Sequence, residues 1–135
     1  MDATMLLCDH AQVANEKLYV LGGGWKQVAF ADTPFPAALA VLLEIPWTAT
    51  NEKHALIMKL IDDDGSQVEM PGIGPVLTEA QFEVGRPPGV KPGTALNQPM
   101  VFKFDGIALP AGGYVFELYV DGEVKARTPF RVGTD

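Results

Sequence analysis

Cysteine is almost absent from this 135-residue chain: Cys8 is the only one, and histidine occurs only at His10 and His54. One thiol excludes a disulfide scaffold within the chain and suits a reducing compartment. Basic residues are also scarce, ten against seventeen acidic ones, for a net charge of −7. Those ten are scattered, so there is no basic stripe to displace counterions from nucleic-acid phosphates or to hold an anionic membrane. No apolar run approaches the ~20 residues of a membrane-spanning helix. The opening MDATMLLCDH has no basic stretch before a short apolar run, so a signal peptide is not expected. The expected location is cytoplasmic. Also missing are a nucleophile elbow, a Ser-His-Asp order and any zinc-ligand spacing. These absences predict a protein that is not an enzyme and that needs no cofactor.

What is present is apolar. Hydrophobic residues make up 47% of the chain and charged ones 20%, a globular balance. The length fits one domain over residues 1–135. The mean hydropathy of +0.11 is high for a soluble monomer. It points to an apolar surface covered by a second copy or by another protein.

The pattern of those residues is that of strands. Tyr114, Phe116, Leu118 and Val120 alternate with Val115, Glu117 and Tyr119, and the pair Asp121-Gly122 follows. Val124, Ala126, Thr128, Phe130 and Val132 then alternate with Lys125, Arg127, Pro129 and Arg131. Period two on both sides of Asp-Gly predicts a hairpin. Pro129 cannot donate to a ladder, which puts the last strand at an edge or makes it bulge there. Further strands are predicted at Leu6–His10, Lys17–Leu21, Trp25–Phe30, His54–Asp62 and Met100–Phe104. The stretch Ala37–Ile45 has helical propensity but is short and bounded by Pro34, Pro36 and Pro46, so it reads as a buried strand. Turn signals fall at Asp64-Gly65, Asp105-Gly106 and throughout Gly85–Gly93. Eight or nine short strands without a long helix predict an all-β, two-sheet antiparallel β-sandwich, Ig-like or jelly-roll-like.

Four groups of residues invite a functional reading. Gly22, Gly23 and Gly24 lie between two extended segments. They fit no phosphate-binding pattern and no helix follows them, so they read as a bend that aims Trp25. Asp62, Asp63 and Asp64 offer hard oxygen ligands for calcium, with Asp105 or Asp121 to complete a set, but Asp-rich turns before glycine are also ordinary hairpin chemistry. Trp25 and Trp47 offer flat apolar faces for a carbohydrate or an interface. Cys8 and His10 share one face of a strand, the one place where a cysteine nucleophile would have a base beside it.

In order along the chain stand LLCDHAQV (Leu6–Val13), KLYVLGGGW (Lys17–Trp25), PFP (Pro34–Pro36), LIDDDG (Leu60–Gly65), FEVGRPPG (Phe82–Gly89) and the closing GGYVFELYVDGEVKARTPFRV. This order resembles a family of short bacterial β-sandwich proteins of unknown function. Its signatures are an N-terminal "A…GKL…iGg" and a C-terminal "G.Y.f.l.vdG…pF.V". Where that signature has glycine before the lysine, this chain has Glu16. The resemblance implies an intracellular two-sheet sandwich and carries no activity. The function expected from the residues is a non-catalytic protein-interaction or self-assembly module, a homo-oligomer or the ligand of another protein. A calcium- or carbohydrate-binding sandwich is the alternative.

Overall fold

Large apolar side chains spaced two apart can all reach one core only if the chain is extended, and this one is. The computed structural model describes residues 1–133. Eleven strands follow in order: β1 (Asp2–Ala14), β2 (Lys17–Gly23), β3 (Gln27–Val28), β4 (Ala38–Ile45), β5 (Lys53–Asp62), β6 (Glu69–Met70), β7 (Gly74–Pro75), β8 (Leu77–Glu83), β9 (Leu96–Lys103), β10 (Gly112–Val120) and β11 (Glu123–Val132). A single turn of 3₁₀ helix, Trp47–Ala49, interrupts them.

Nine strands form the two main sheets of a β-sandwich. One runs β2-β1-β4-β9, the other β3-β11-β10-β5-β8, and β6 and β7 pair as a small separate ladder. The sheets are antiparallel except that β3 runs parallel to β11. Their inner faces share one core. Leu7, Leu39, Val41, Leu43 and Ile45 come from the first sheet; Leu56, Met58, Leu60, Phe116, Leu118 and Phe130 come from the second.

The predicted hairpin forms across Asp121-Gly122, both with positive φ (51° and 83°), the two-residue turn that an Asp-Gly pair favours. Pro129 sits where β11 has β10 on one side only, because β3 reaches no further than Arg131 and Val132. Two residues on, the Arg131 N–H donates outward to Lys26 O. Pro129 has the same parity, so its missing donor faces the open edge and no ladder bond is lost.

β4 is a strand despite its helical propensity because both of its faces are covered. Its large residues enter the main core, while Ala38 and Ala40 on the opposite face form a second cluster with Cys8 and Ala11. Leu18 of β2 and Val101 of β9 close over that cluster. Tertiary burial here outweighs local propensity.

Several expectations change. The first strand runs thirteen residues, well beyond Leu6–His10. Cys8 and Ala11, three apart, are both in the second cluster, so alternation breaks at Asp9-His10. Of Trp25–Phe30, only Gln27–Val28 is a strand. β8 pairs with β5 along its whole length without an alternating pattern of its own.

The turn between β1 and β2 falls at Asn15-Glu16. Asn15 and Glu16 have φ of 51° and 61°, and Ala14 pairs with Lys17 across them. Asparagine tolerates this left-handed region, but glutamate carries a Cβ into it. Glu16→Gly is expected to stabilise the protein by about 0.5–1 kcal/mol, raising the melting temperature by about 2–4 °C in a thermal scan. An unchanged or lower melting temperature would mean that the turn stores no strain.

Candidate functional site

The three glycines end β2. Gly22 and Gly24 have φ of 62° and 90°, a left-handed geometry open to glycine, whereas Gly23 does not. A side chain on Gly22 would also collide with the Asp9 carboxylate. The chain leaves the sheet edge here, with the Gly24 N–H donating to Leu7 O at 2.7 Å. Trp25 then packs edge-on against Phe35 (6.0 Å between ring centres, 82° between planes) and Phe130 (5.9 Å, 81°). Its indole N–H is buried without a hydrogen-bond partner among the described residues. The glycines therefore bend the chain and seat Trp25 on the core. Beside them lies a recess of about 590 Å³ bounded by Asp9, Trp25, Gln27 and Phe35.

Trp47 lies elsewhere, on the 3₁₀ turn. The Arg86 guanidinium lies 3.9 Å from the centre of its ring, so one indole face is covered. The two tryptophans thus serve different neighbourhoods and do not make one stacking platform.

The aspartates act on the backbone. Asp62 Oδ1 accepts from the N–H groups of Asp64 and Ser66 (2.9 and 3.0 Å), which shapes the turn at Gly65. Asp63 Oδ2 accepts from the Gly113 N–H at 3.2 Å, tying the end of β5 to β10. Among the described residues, no three cysteine, histidine or acidic side chains gather as a metal-ligand set. Asp121 is engaged far from that turn: its Oδ1 accepts from the Ala55 N–H at 2.9 Å and its Oδ2 from His54 Nδ1 at 2.7 Å.

His54 is buried, and its second nitrogen, Nε2, lies 2.8 Å from Ala49 O. Both ring nitrogens therefore face acceptors, an arrangement that only the imidazolium satisfies. The Ala49 carbonyl first, and then Asp121, raise the His54 pKa. The same contact with His54, followed by the Ala55 N–H, lowers the pKa of Asp121. Sequence reasoning noted these residues singly; sixty-seven positions separate them, and no local pattern joins them.

Cys8 is fully buried, and its thiol donates to Ala38 O at 3.4 Å. Burial first, and then the nearby Asp9 charge, push its pKa up, away from the thiolate that a nucleophile requires. His10 is exposed.

The most open element is β2. It is the outer strand of its sheet: β1 takes one side, and no described strand takes the other. Tyr19, Val20 and Leu21 are 51%, 37% and 66% exposed. Lys17 is the strand's only charge. Natural sheet edges are usually guarded by charge, proline or a covering loop, because their free N–H and C=O groups recruit another strand.

Among solved structures, the chain is similar to the Pseudomonas fluorescens alkylpurine DNA glycosylase AlkC bound to DNA containing an abasic site analog. The identity is 12%, over 96% of this chain and 30% of that one, with a TM-score of 0.42. The chain thus spans about a third of the length of that protein. No curated protein matches it. A family model covers residues 3–133, nearly the whole sandwich from β1 to β11, and the chain belongs to that family, a family of unknown function (DUF6941).

Proposed function

We propose that the protein is a non-catalytic interaction module that binds by adding a strand to the β2 edge, and that it self-associates in this way. The exposed outer edge of β2 carries the reading. An open edge supplies main-chain hydrogen bonds to any extended partner, and Tyr19, Val20 and Leu21 add apolar contact. Two copies can meet there about a two-fold axis, each offering the same strand. The lack of a catalytic role is supported by the buried, raised-pKa thiol of Cys8 and by the occupation of both His54 nitrogens. The net charge of −7 argues against nucleic acid and anionic membrane as partners. The lone buried thiol suits a bacterial cytoplasm. No helix among the described residues is long and apolar enough to cross a membrane.

Sedimentation over a wide concentration range tests the reading. The expected result is a reversible dimer, converted to monomer by Leu21→Lys. That substitution sits on a side chain already two-thirds exposed and guards the edge with charge. A monodisperse monomer at every concentration removes self-association. A dimer indifferent to Leu21→Lys moves the interface off β2.

A further inference from the structure

Each main sheet has a second edge strand on the side away from β2 and β3. β9 is the last strand of the first sheet and β8 the last of the second. The chain that leaves β8, the start of β9 and the β1–β2 turn at Glu16 line an open cleft of about 780 Å³. Arg86 stands in its wall, with Val84, Leu96 and Gln98.

Arg86 is fixed from three directions. Its guanidinium stacks on Trp47 at 3.9 Å. Its Nε donates to Thr50 Oγ1 at 2.6 Å and one Nη to Trp47 O at 2.9 Å. Thr50 is itself buried and donates to the same carbonyl at 2.6 Å. These contacts hold the fork but leave most of its five N–H donors without a protein partner among the described residues. Nor does it have a carboxylate: Arg127 pairs with Glu117 and Arg131 with Asp63, while Arg86 forms no ion pair among the described residues. This holds in a chain with seventeen acidic side chains, two of which, Glu16 and Glu83, line the same cleft. A guanidinium immobilised in advance has already lost the rotamer freedom that carboxylate binding would otherwise cost it.

We propose that this cleft binds the C-terminal end of an extended peptide. Arg86 donates to the terminal carboxylate from its remaining Nη–H groups, a charge-assisted pairing that guanidinium makes well. The outer edge of β9 from Leu96 to Gln98 has no strand against it among the described residues and offers backbone groups to the peptide. Val84 and Leu96 provide the apolar wall for the last side chain. Glu16 and Glu83 favour a basic residue upstream. The cleft adjoins the β1–β2 turn through Glu16, but the proposal rests on Arg86 and the β9 edge and not on strand addition at β2.

The test is fluorescence anisotropy with a fluorescein-labelled hexapeptide that has lysine at its second position and ends in free leucine. Its C-terminally amidated twin and unlabelled leucine serve as comparisons. The free acid is expected to bind, with amidation weakening it at least about tenfold. Arg86→Gln should abolish binding. Arg86→Lys, which keeps the charge over Trp47 but loses the fork, should weaken it at least about tenfold with its melting temperature near the parent's. Free leucine should compete poorly, because it cannot pair with β9. Equal binding of the amidated peptide, equal binding of free leucine, binding unchanged in Arg86→Lys, or no binding of the free acid up to about 1 mM would each overturn the proposal.

Discussion

Phe116→Ala is expected to lower stability by about 3–5 kcal/mol, a large share of the ~5–15 kcal/mol that holds a domain together. Phe116 is fully buried at the centre of the second sheet's inner face. Its ring stacks on Phe130 at 5.6 Å, with 21° between planes, and lies 5.3 Å from Phe104. Phe130 in turn touches Tyr114, Trp25 and Phe35, so one ring joins the core of β10 to the residues that the glycine bend delivers. Removing it leaves a cavity that neighbouring strands, held in register on both sides, cannot collapse to fill. A thermal scan should show the midpoint falling on the order of 10–20 °C. Phe116→Leu, which retains most of the volume, should lose less than half as much. A drop of only a few degrees for the alanine variant would mean that these aromatic contacts are loose and that the core is organised elsewhere.

The second large effect is a pH dependence anchored at His54. Its folded-state pKa is raised above the ordinary 6.5, so its contribution is complete below about 6.5 and is lost as pH rises through the folded value. Asp121 behaves in the opposite sense. Its pKa is lowered below the ordinary 3.8, so its contribution is present above that value and is lost as pH falls through the folded one. Both contributions are complete between those limits. His54→Gln should therefore cost most near about pH 5.5 and least near about pH 8.5. The expected maximum is about 1–2 kcal/mol, the low end for bonds to a charged group because Asp121 is half exposed. Chemical denaturation of both proteins across that range gives the difference directly. A difference independent of pH would show that His54 is neutral in the folded protein and that only one of its two contacts is a hydrogen bond.

The local part of this fold could be read from the sequence, and the non-local part could not. The β10–β11 hairpin was legible because its evidence lies within twenty-one residues: alternation on either side of Asp121-Gly122. β4 was legible through its bounding prolines, although what covers its second face, the cluster of Cys8, Ala11, Ala38 and Ala40, was not. The length of β1 was hidden by its polar residues and by the break of parity at Asp9-His10. β8 was hidden because an edge strand with Glu79, Ala80 and Gln81 exposed in succession need not alternate. The sites follow the same rule. The glycine bend announces itself in three consecutive letters, whereas the stacking of Arg86 on Trp47 joins residues thirty-nine positions apart. For the Asp62–Asp64 turn, residue types alone favoured ordinary turn chemistry and kept calcium as the alternative. The geometry commits Asp62 and Asp63 to backbone N–H groups.

The placement of β4 also governs how the chain reaches its native state. The strands on either side of it, β1 and β9, are both distant in sequence, one before it and one well after it: Leu6 pairs with Ala40, and Leu42 with Pro99. The two hairpins at β1–β2 and β10–β11 can close in microseconds, but the centre of the first sheet must wait for a long loop to be drawn in. During that interval β4, apolar on both faces, lacks its β9 neighbour. A freshly made chain thus passes through its most adhesive form before its last strand is in place, and rapid synthesis at high concentration would favour tangles of unfinished molecules over finished ones.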